Sequence, residues 1–207
     1  MKTLFHIALL FILSSCCKSK LIDTIKFTES ELRVNPYSGN EELKFIDNNN
    51  IVVVYRNGHR NINQIELKEC DGGCCDHYLV ESSDNTFFGS DYKKSNLQII
   101  ISNNFDKYTG IREIPIIHFA WDYYEIEPYV TGTGFSGLPV DSMKENANSI
   151  GILRDSILLR NKMYYEIYTF PGSCLYPDRL HGDTLYFSKN EGIIGLLFSD
   201  GNLWTKY

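Results

Sequence analysis

Three cysteines and a histidine fall within the eight residues Cys70-Asp71-Gly72-Gly73-Cys74-Cys75-Asp76-His77. These residue types at this spacing suit two chemistries. Thiols beyond the cytoplasm pair into disulfides. Thiolates and imidazoles hold zinc at about 2.0–2.3 Å in a tetrahedral shell. Together with Cys174, in the loop 171–183, Cys70, Cys74 and Cys75 give four disulfide candidates and three connectivities. Asp71-Gly72-Gly73 is a turn, which lets Cys70 close on Cys74 and leaves Cys75 for Cys174. The metal alternative uses Cys70, Cys74 and His77. It fits less well, because adjacent cysteines of an extended segment point to opposite faces. Zinc sites also draw on two separated ligand pairs, where this chain offers one. A third option keeps the thiols reduced and buried. The disulfide reading is preferred, and no metal or cofactor is expected.

Carboxylates make a second cluster. Asp122, Glu125 and Glu127 lie among four aromatics in the segment 121–129. Glycosidases place two carboxyl groups about 5–9.5 Å apart beside the sugar. Glu125 and Glu127 would share one face of a strand, roughly 6.5–7 Å apart. Alternating acids on a strand, however, ordinarily form a solvated face, and no partner acid is identified elsewhere. Gly132, Gly134 and Gly137 have the glycine spacing of a dinucleotide-binding turn, but that turn needs a strand before it and a helix after it. Leu138-Pro139 follows instead, so residues 132–139 read as a flexible loop that could line a site. Ser136 lacks the Gly-x-Ser-x-Gly elbow of hydrolases. Cys174 and His181 share one loop, which fixes no nucleophile–base geometry. His118, in an apolar run, reads as a hydrogen-bonded core or edge residue.

The elements that must position these groups are strands. Apolar residues alternate or cluster in short runs, with little helical period. The runs are 51–56, 62–68, 77–82, 97–102, one long bent strand or two over 113–130, then 163–170 and three more in the tail. Asn57-Gly58 and Asp200-Gly201 read as hairpin turns. In 163–170, Met163, Tyr165 and Ile167 are expected on one face, and Tyr164, Glu166 and Tyr168 on the other. Pro115 marks an edge or bend. A short helix is expected over 141–148. The fold class is all-β: a mostly antiparallel sandwich or open or half barrel of about ten to twelve short strands, with little helix.

The N-terminus sets the compartment. Leu4 to Leu13 is an apolar run of ten residues broken by His6, spanning about 15 Å as helix against a hydrocarbon core of about 30 Å. That is a signal-peptide core, not a membrane span. The following Leu13-Ser14-Ser15-Cys16 resembles a bacterial lipobox. The resemblance implies cleavage before Cys16 and acylation of its thiol. Residues 1–15 are then a signal peptide, 16–21 a lipidated tether and 22–207 a single β-rich domain. The tether is basic rather than acidic, which favours an outer-membrane protein with its domain facing the periplasm. Loss of residues 1–15 leaves 19 Lys and Arg against 26 Asp and Glu, a charge of −7. An acidic chain has no electrostatic footprint for nucleic acid. The fourteen Tyr and twelve Phe suit half-buried sheet surfaces, and equally faces that bind sugars or peptides.

The tail carries a further resemblance. Tyr186, Phe187, Ser188, Lys189 and Gly192, followed by Asp200, Gly201 and Trp204, are similar to the closing strands of uncharacterised Bacteroidota lipoproteins. This implies a β-sheet lipoprotein and no particular activity. The expectation is a lipid-anchored envelope domain that binds rather than catalyses. Its partners are the membrane, through acyl chains on Cys16, and an envelope protein, glycan or lipid. The alternatives are a glycan-acting hydrolase built on residues 121–129 and a half-barrel carrier of lipid or lipoprotein.

Overall fold

The structure, a computed structural model, describes residues 19–71, 74–90, 95–126, 129–139 and 152–207. The side chains of residues 71, 74, 90, 123–126, 129–132 and 136–139 lie outside that description. Cys16, the signal segment and the helix expected over 141–148 also lie outside the described residues.

The strands are β1 Lys20–Ile25, β2 Leu43–Ile46, β3 Val52–Arg56, β4 Arg60–Asp71, β5 Cys74–Ser90, β6 Ser95–Ser102, β7 Phe105–Asp106, β8 Ile111–Arg112, β9 Ile116–Ile126, β10 Tyr129–Pro139, β11 Ile152–Leu159, β12 Lys162–Cys174, β13 Gly182–Ser188, β14 Gly192–Phe198 and β15 Leu203–Lys206. Among the described residues there is one helix, α1 Glu29–Leu32, which opens on a capping box in which Thr28 and Glu31 bond each other's backbone N–H. The strands run β5-β3-β2-β15-β14-β13-β12-β10-β9-β6, and β6 pairs again with β5. The expected all-β sheet is therefore a closed barrel of ten antiparallel strands, and closure leaves those strands no free edge.

Alternation fills the barrel. Ser95, Leu97, Ile99 and Ile101 of β6 are buried, and their neighbours in sequence are not. Ile117, Phe119 and Trp121 of β9 follow the same rule. Aromatic rings meet at van der Waals range: Trp121 and Phe198 at 4.8 Å between centroids, Phe119 with Phe170 and with Phe187 at 5.0 Å. Such rings contribute large buried areas and favour tilted or edge-on contact. Polar groups are buried among them as well: the Tyr55 hydroxyl bonds Ser95 Oγ at 2.7 Å and accepts from Trp121 Nε1 at 3.0 Å. The interior is a packed core of side chains.

Several expectations are corrected. Asn57-Gly58 is not a hairpin. Val54 pairs with Ser90, Arg56 with Phe88 and Arg60 with Asn85, so β3 and β4 follow one another along the same edge of β5. Residues 57–59 stand opposite only two residues, which makes a bulge. Asn57 does take positive φ, at 61°, and Gly58 leaves space for the Phe87 ring, which a Cβ would meet at 1.9 Å. Residues 132–139 belong to strand β10, not to a loop. Thr133 and Phe135 are buried, and the Thr133 hydroxyl accepts from Gly182 N, so inward alternation outweighs the glycine content. The glycine spacing thus sits in an antiparallel strand rather than a strand-to-helix turn. In β12 the simple alternation breaks at Glu166, whose φ is 53°. Beyond it Tyr168 joins the barrel core, while Ile167 packs with Tyr164, Leu159 and Ile194 in a second cluster. Since Ile193 and Leu196 line the core, Ile194 faces outward, and the β11–β12 hairpin lies over the barrel's outer wall. Finally, β1 begins at Lys20, two residues inside the expected tether.

Candidate interaction surface

With the axis filled, the surface open to contact is the outside of the barrel. The longest strand, β5, supplies the most distinctive feature there. Its pairing with β6 begins at Ser82; the eight residues Cys74–Glu81 run on past that strand for about 25 Å at 3.3 Å per residue. β4 pairs along one edge of this extension and β1, in parallel, along the other. The result is a three-stranded arm. Asp71 pairs with Cys74, so Cys70 falls opposite Cys75, and these two form a disulfide at the outer end. The preferred pairing of Cys70 with Cys74 and of Cys75 with Cys174 is therefore replaced: register, not turn proximity, selects the partner. Cys174 is a free thiol.

The same bond removes the Cys70 thiolate from the metal alternative. His77 Nδ1 is 3.0 Å from Ser19 Oγ, and the Cys74 side chain is outside the described residues. Among the described residues no group of three His, Cys, Asp or Glu is placed to hold an ion.

The arm is braced. Phe105 of β7 packs on Tyr78 at 4.7 Å between centroids. Lys107 Nζ donates to the Lys68 carbonyl and Asn103 Nδ2 to the Glu81 carbonyl. Arg112 bridges Asn103 Oδ1 and, at 2.9 Å, Glu31 of the helix. Burial raises the Glu31 pKa, but bonds from Thr28 and Arg112 outweigh it and hold the carboxyl below its ordinary range. At the arm's outer end several apolar groups face solvent: Tyr108 is 75% exposed and Ile111 59%, with Leu21 and Ile22 above 40%.

Residues 33–41 close one mouth of the barrel. Tyr37 enters the core and its hydroxyl accepts from Ile193 N at 2.7 Å. Asn35 Nδ2 donates to Asn85 Oδ1, and Asn85 Nδ2 to the Gly58 carbonyl. Arg60 donates to the carbonyls of Asn35 and Tyr37. Burial would raise the Glu41 pKa, yet the Ser38 hydroxyl and the backbone N–H groups of Ser38 and Gly39 hold it down to about 2. A shallow hollow of about 390 Å³ beside this closure is lined by Glu29, Leu32, Arg33, Asn35, Ser38 and Arg60, among others.

Among the described residues the remaining candidates do not assemble. Trp121 points into the barrel, so Asp122 points out. Burial pushes the Asp122 carboxyl up. His118, also outward and half-buried, has its pKa lowered by burial; it lies four positions from Asp122 along the strand, on the order of 13 Å. The side chains of Glu125 and Glu127 lie outside the described residues. His181 Nδ1 bonds the Arg179 carbonyl at 2.7 Å and Nε2 is 3.6 Å from Asp183. Cys174 Sγ instead accepts from Tyr176 N, so the two members of that pair are engaged separately. The sequence reading missed the arm, the mouth closure and α1. Thr28-Glu29-Ser30-Glu31 carries the capping-box signature and was the one local signal for the helix. Among the described residues no helix is long and apolar enough to cross a membrane. Comparison with protein-family models, with curated proteins and with solved structures returns no match to this chain.

Proposed function

We propose that this chain is a lipid-anchored domain of the bacterial cell envelope that acts by binding rather than by catalysis, meeting an envelope protein, glycan or lipid with its outer surface. One observation carries the reading: the ten-stranded barrel is filled by its own aromatic side chains. A carrier that encloses its cargo needs an apolar hollow, and the barrel axis offers packed rings in its place. The lipobox at Leu13–Cys16 supplies the anchor, and the disulfide at Cys70–Cys75 suits an oxidising compartment.

The test uses the full chain and isolated envelope material fractionated into glycan, lipid and membrane protein. Bound protein and released small products are both measured. Saturable binding to one fraction without product release is expected. Product release that tracks protein concentration would overturn the reading, and Glu125→Gln would then show whether the acidic segment carries the activity.

A further inference from the structure

The chain enters the domain at the outer end of the arm, where exposed apolar side chains also gather. β1 begins at Lys20, paired with Asp76, next to the Cys70–Cys75 bridge. It then runs parallel to β5, away from the bridge and toward the barrel. Cys16 precedes Lys20 by four residues, so the extended chain between them reaches at most about 14 Å. The turn between β7 and β8 lies at the same end. Lys107 reaches the carbonyl of Lys68, which pairs with His77, and Gly110 lies against the Tyr78 hydroxyl. The turns 47–51 and 199–202, joined by Asn48 Nδ2 to the Gly201 carbonyl, are at the opposite end, because β3 runs from the first of them toward the arm.

We propose that the outer end of the arm is a membrane-contact surface, in which Tyr108, Ile111, Leu21 and Ile22 enter the interfacial layer beside the acyl anchor. The proposal rests on the lipid-anchored reading above. The short tether selects the bilayer as the occupant, since an anchor on Cys16 holds this end of the molecule, and not the far turns, at the lipid. The side-chain chemistry agrees. Tyrosine and aliphatic groups partition into the interface while lysine stems lie along apolar surface with their ammonium groups in water. The described charges at this end nearly balance, Lys20, Lys68 and Lys107 standing with Asp23, Glu69, Asp76 and Asp106. Contact is therefore made by apolar insertion rather than by attraction to anionic headgroups, and salt leaves it unchanged.

The full lipidated chain, reconstituted in phosphatidylcholine vesicles doped with a lipid spin-labelled near the top of its acyl chain, provides the test. A fluorescent amino acid replaces Tyr108 in one sample and Asn49, in the far turn, in another. Quenching at position 108 at least about twofold greater than at position 49, and unaffected by added salt, is expected for an interfacial side chain. Equal quenching at both positions, with acyl mass present on Cys16, would overturn the contact surface and leave the anchor standing. Quenching at 108 that requires anionic lipid and vanishes in salt would overturn apolar insertion. Absence of acyl mass on Cys16 would overturn the anchor and the contact surface together.

Discussion

The indole Nε1 of Trp121 donates to the Tyr55 hydroxyl at 3.0 Å in the barrel core, where both residues are wholly buried. The same hydroxyl bonds Ser95 Oγ. Burial pushes the phenol up to about 12, so it stays a neutral donor and acceptor across the physiological range. Tyr55→Phe removes the hydroxyl and strands the indole N–H in an apolar core. A destabilisation of about 1–3 kcal/mol follows, measurable by urea unfolding of the purified domain, and a value near zero would mean that water reaches the core.

Gly58 and Gly134 form a matched pair. A Cβ on Gly58 would meet the Phe87 ring at 1.9 Å, whereas one on Gly134 meets nothing within 4 Å. Gly58→Ala is expected to cost about 2–3 kcal/mol by overpacking, and Gly134→Ala about 0.5 kcal/mol or less, as for a surface change. Thermal unfolding of both variants checks the ranking. Equal costs would contradict the bulge geometry at residues 57–59.

Glu41 makes the mouth closure pH-dependent. Its folded-state pKa is depressed to about 2 from an ordinary 4.5, so its contribution is fully present above the unfolded pKa and is lost as pH falls from about 4.5 to 2. Glu41→Gln is expected to lower stability at neutral pH by about 1–2 kcal/mol through loss of charge-assisted bonds. The difference from the parent protein should shrink across the same acid range. A difference independent of pH would place the effect elsewhere.

The Cys70–Cys75 bridge closes a short loop at the end of the arm, beyond the barrel. Chain entropy gives it about 2 kcal/mol, and that energy acts on the local opening of the arm. In the Cys70→Ala/Cys75→Ala variant, hydrogen exchange is expected to quicken across 60–81 while the amides of β13 and β14 keep their protection. Equal loss of protection in both regions would mean that arm and barrel unfold as one unit.

Strand rhythm and local turns were legible in the sequence. Asp200-Gly201 joins β14 to β15 as read, with Gly201 at φ 80°, because a hairpin depends only on residues close in the chain. Asn57-Gly58 carried an equal signal, yet only Asn57 takes positive φ, and the neighbours of the pair bond to β5 rather than to each other. Nothing local distinguishes a hairpin from a bulge when the partner strand lies elsewhere. The disulfide segment was recognised but its partners were not, since one residue of register decides between Cys74 and Cys75. Barrel closure depends on β5 pairing with β3 on one edge and β6 on the other, a property of three-dimensional register. Glu166, at positive φ in mid-strand, is a non-glycine residue whose conformation is imposed by the packing of Tyr164 and Ile167 outside the barrel and Tyr168 inside it.

Native mass spectrometry of the full-length protein, gently extracted from its membrane, is the most direct test of a filled and anchored barrel. The expected mass is that of residues 16–207 with acyl chains on Cys16, two hydrogens lighter for the Cys70–Cys75 bridge, with no lipid held non-covalently. A lipid-sized non-covalent adduct that survives until the domain unfolds would contradict it, because the barrel would then hold a cargo in place of its own side chains.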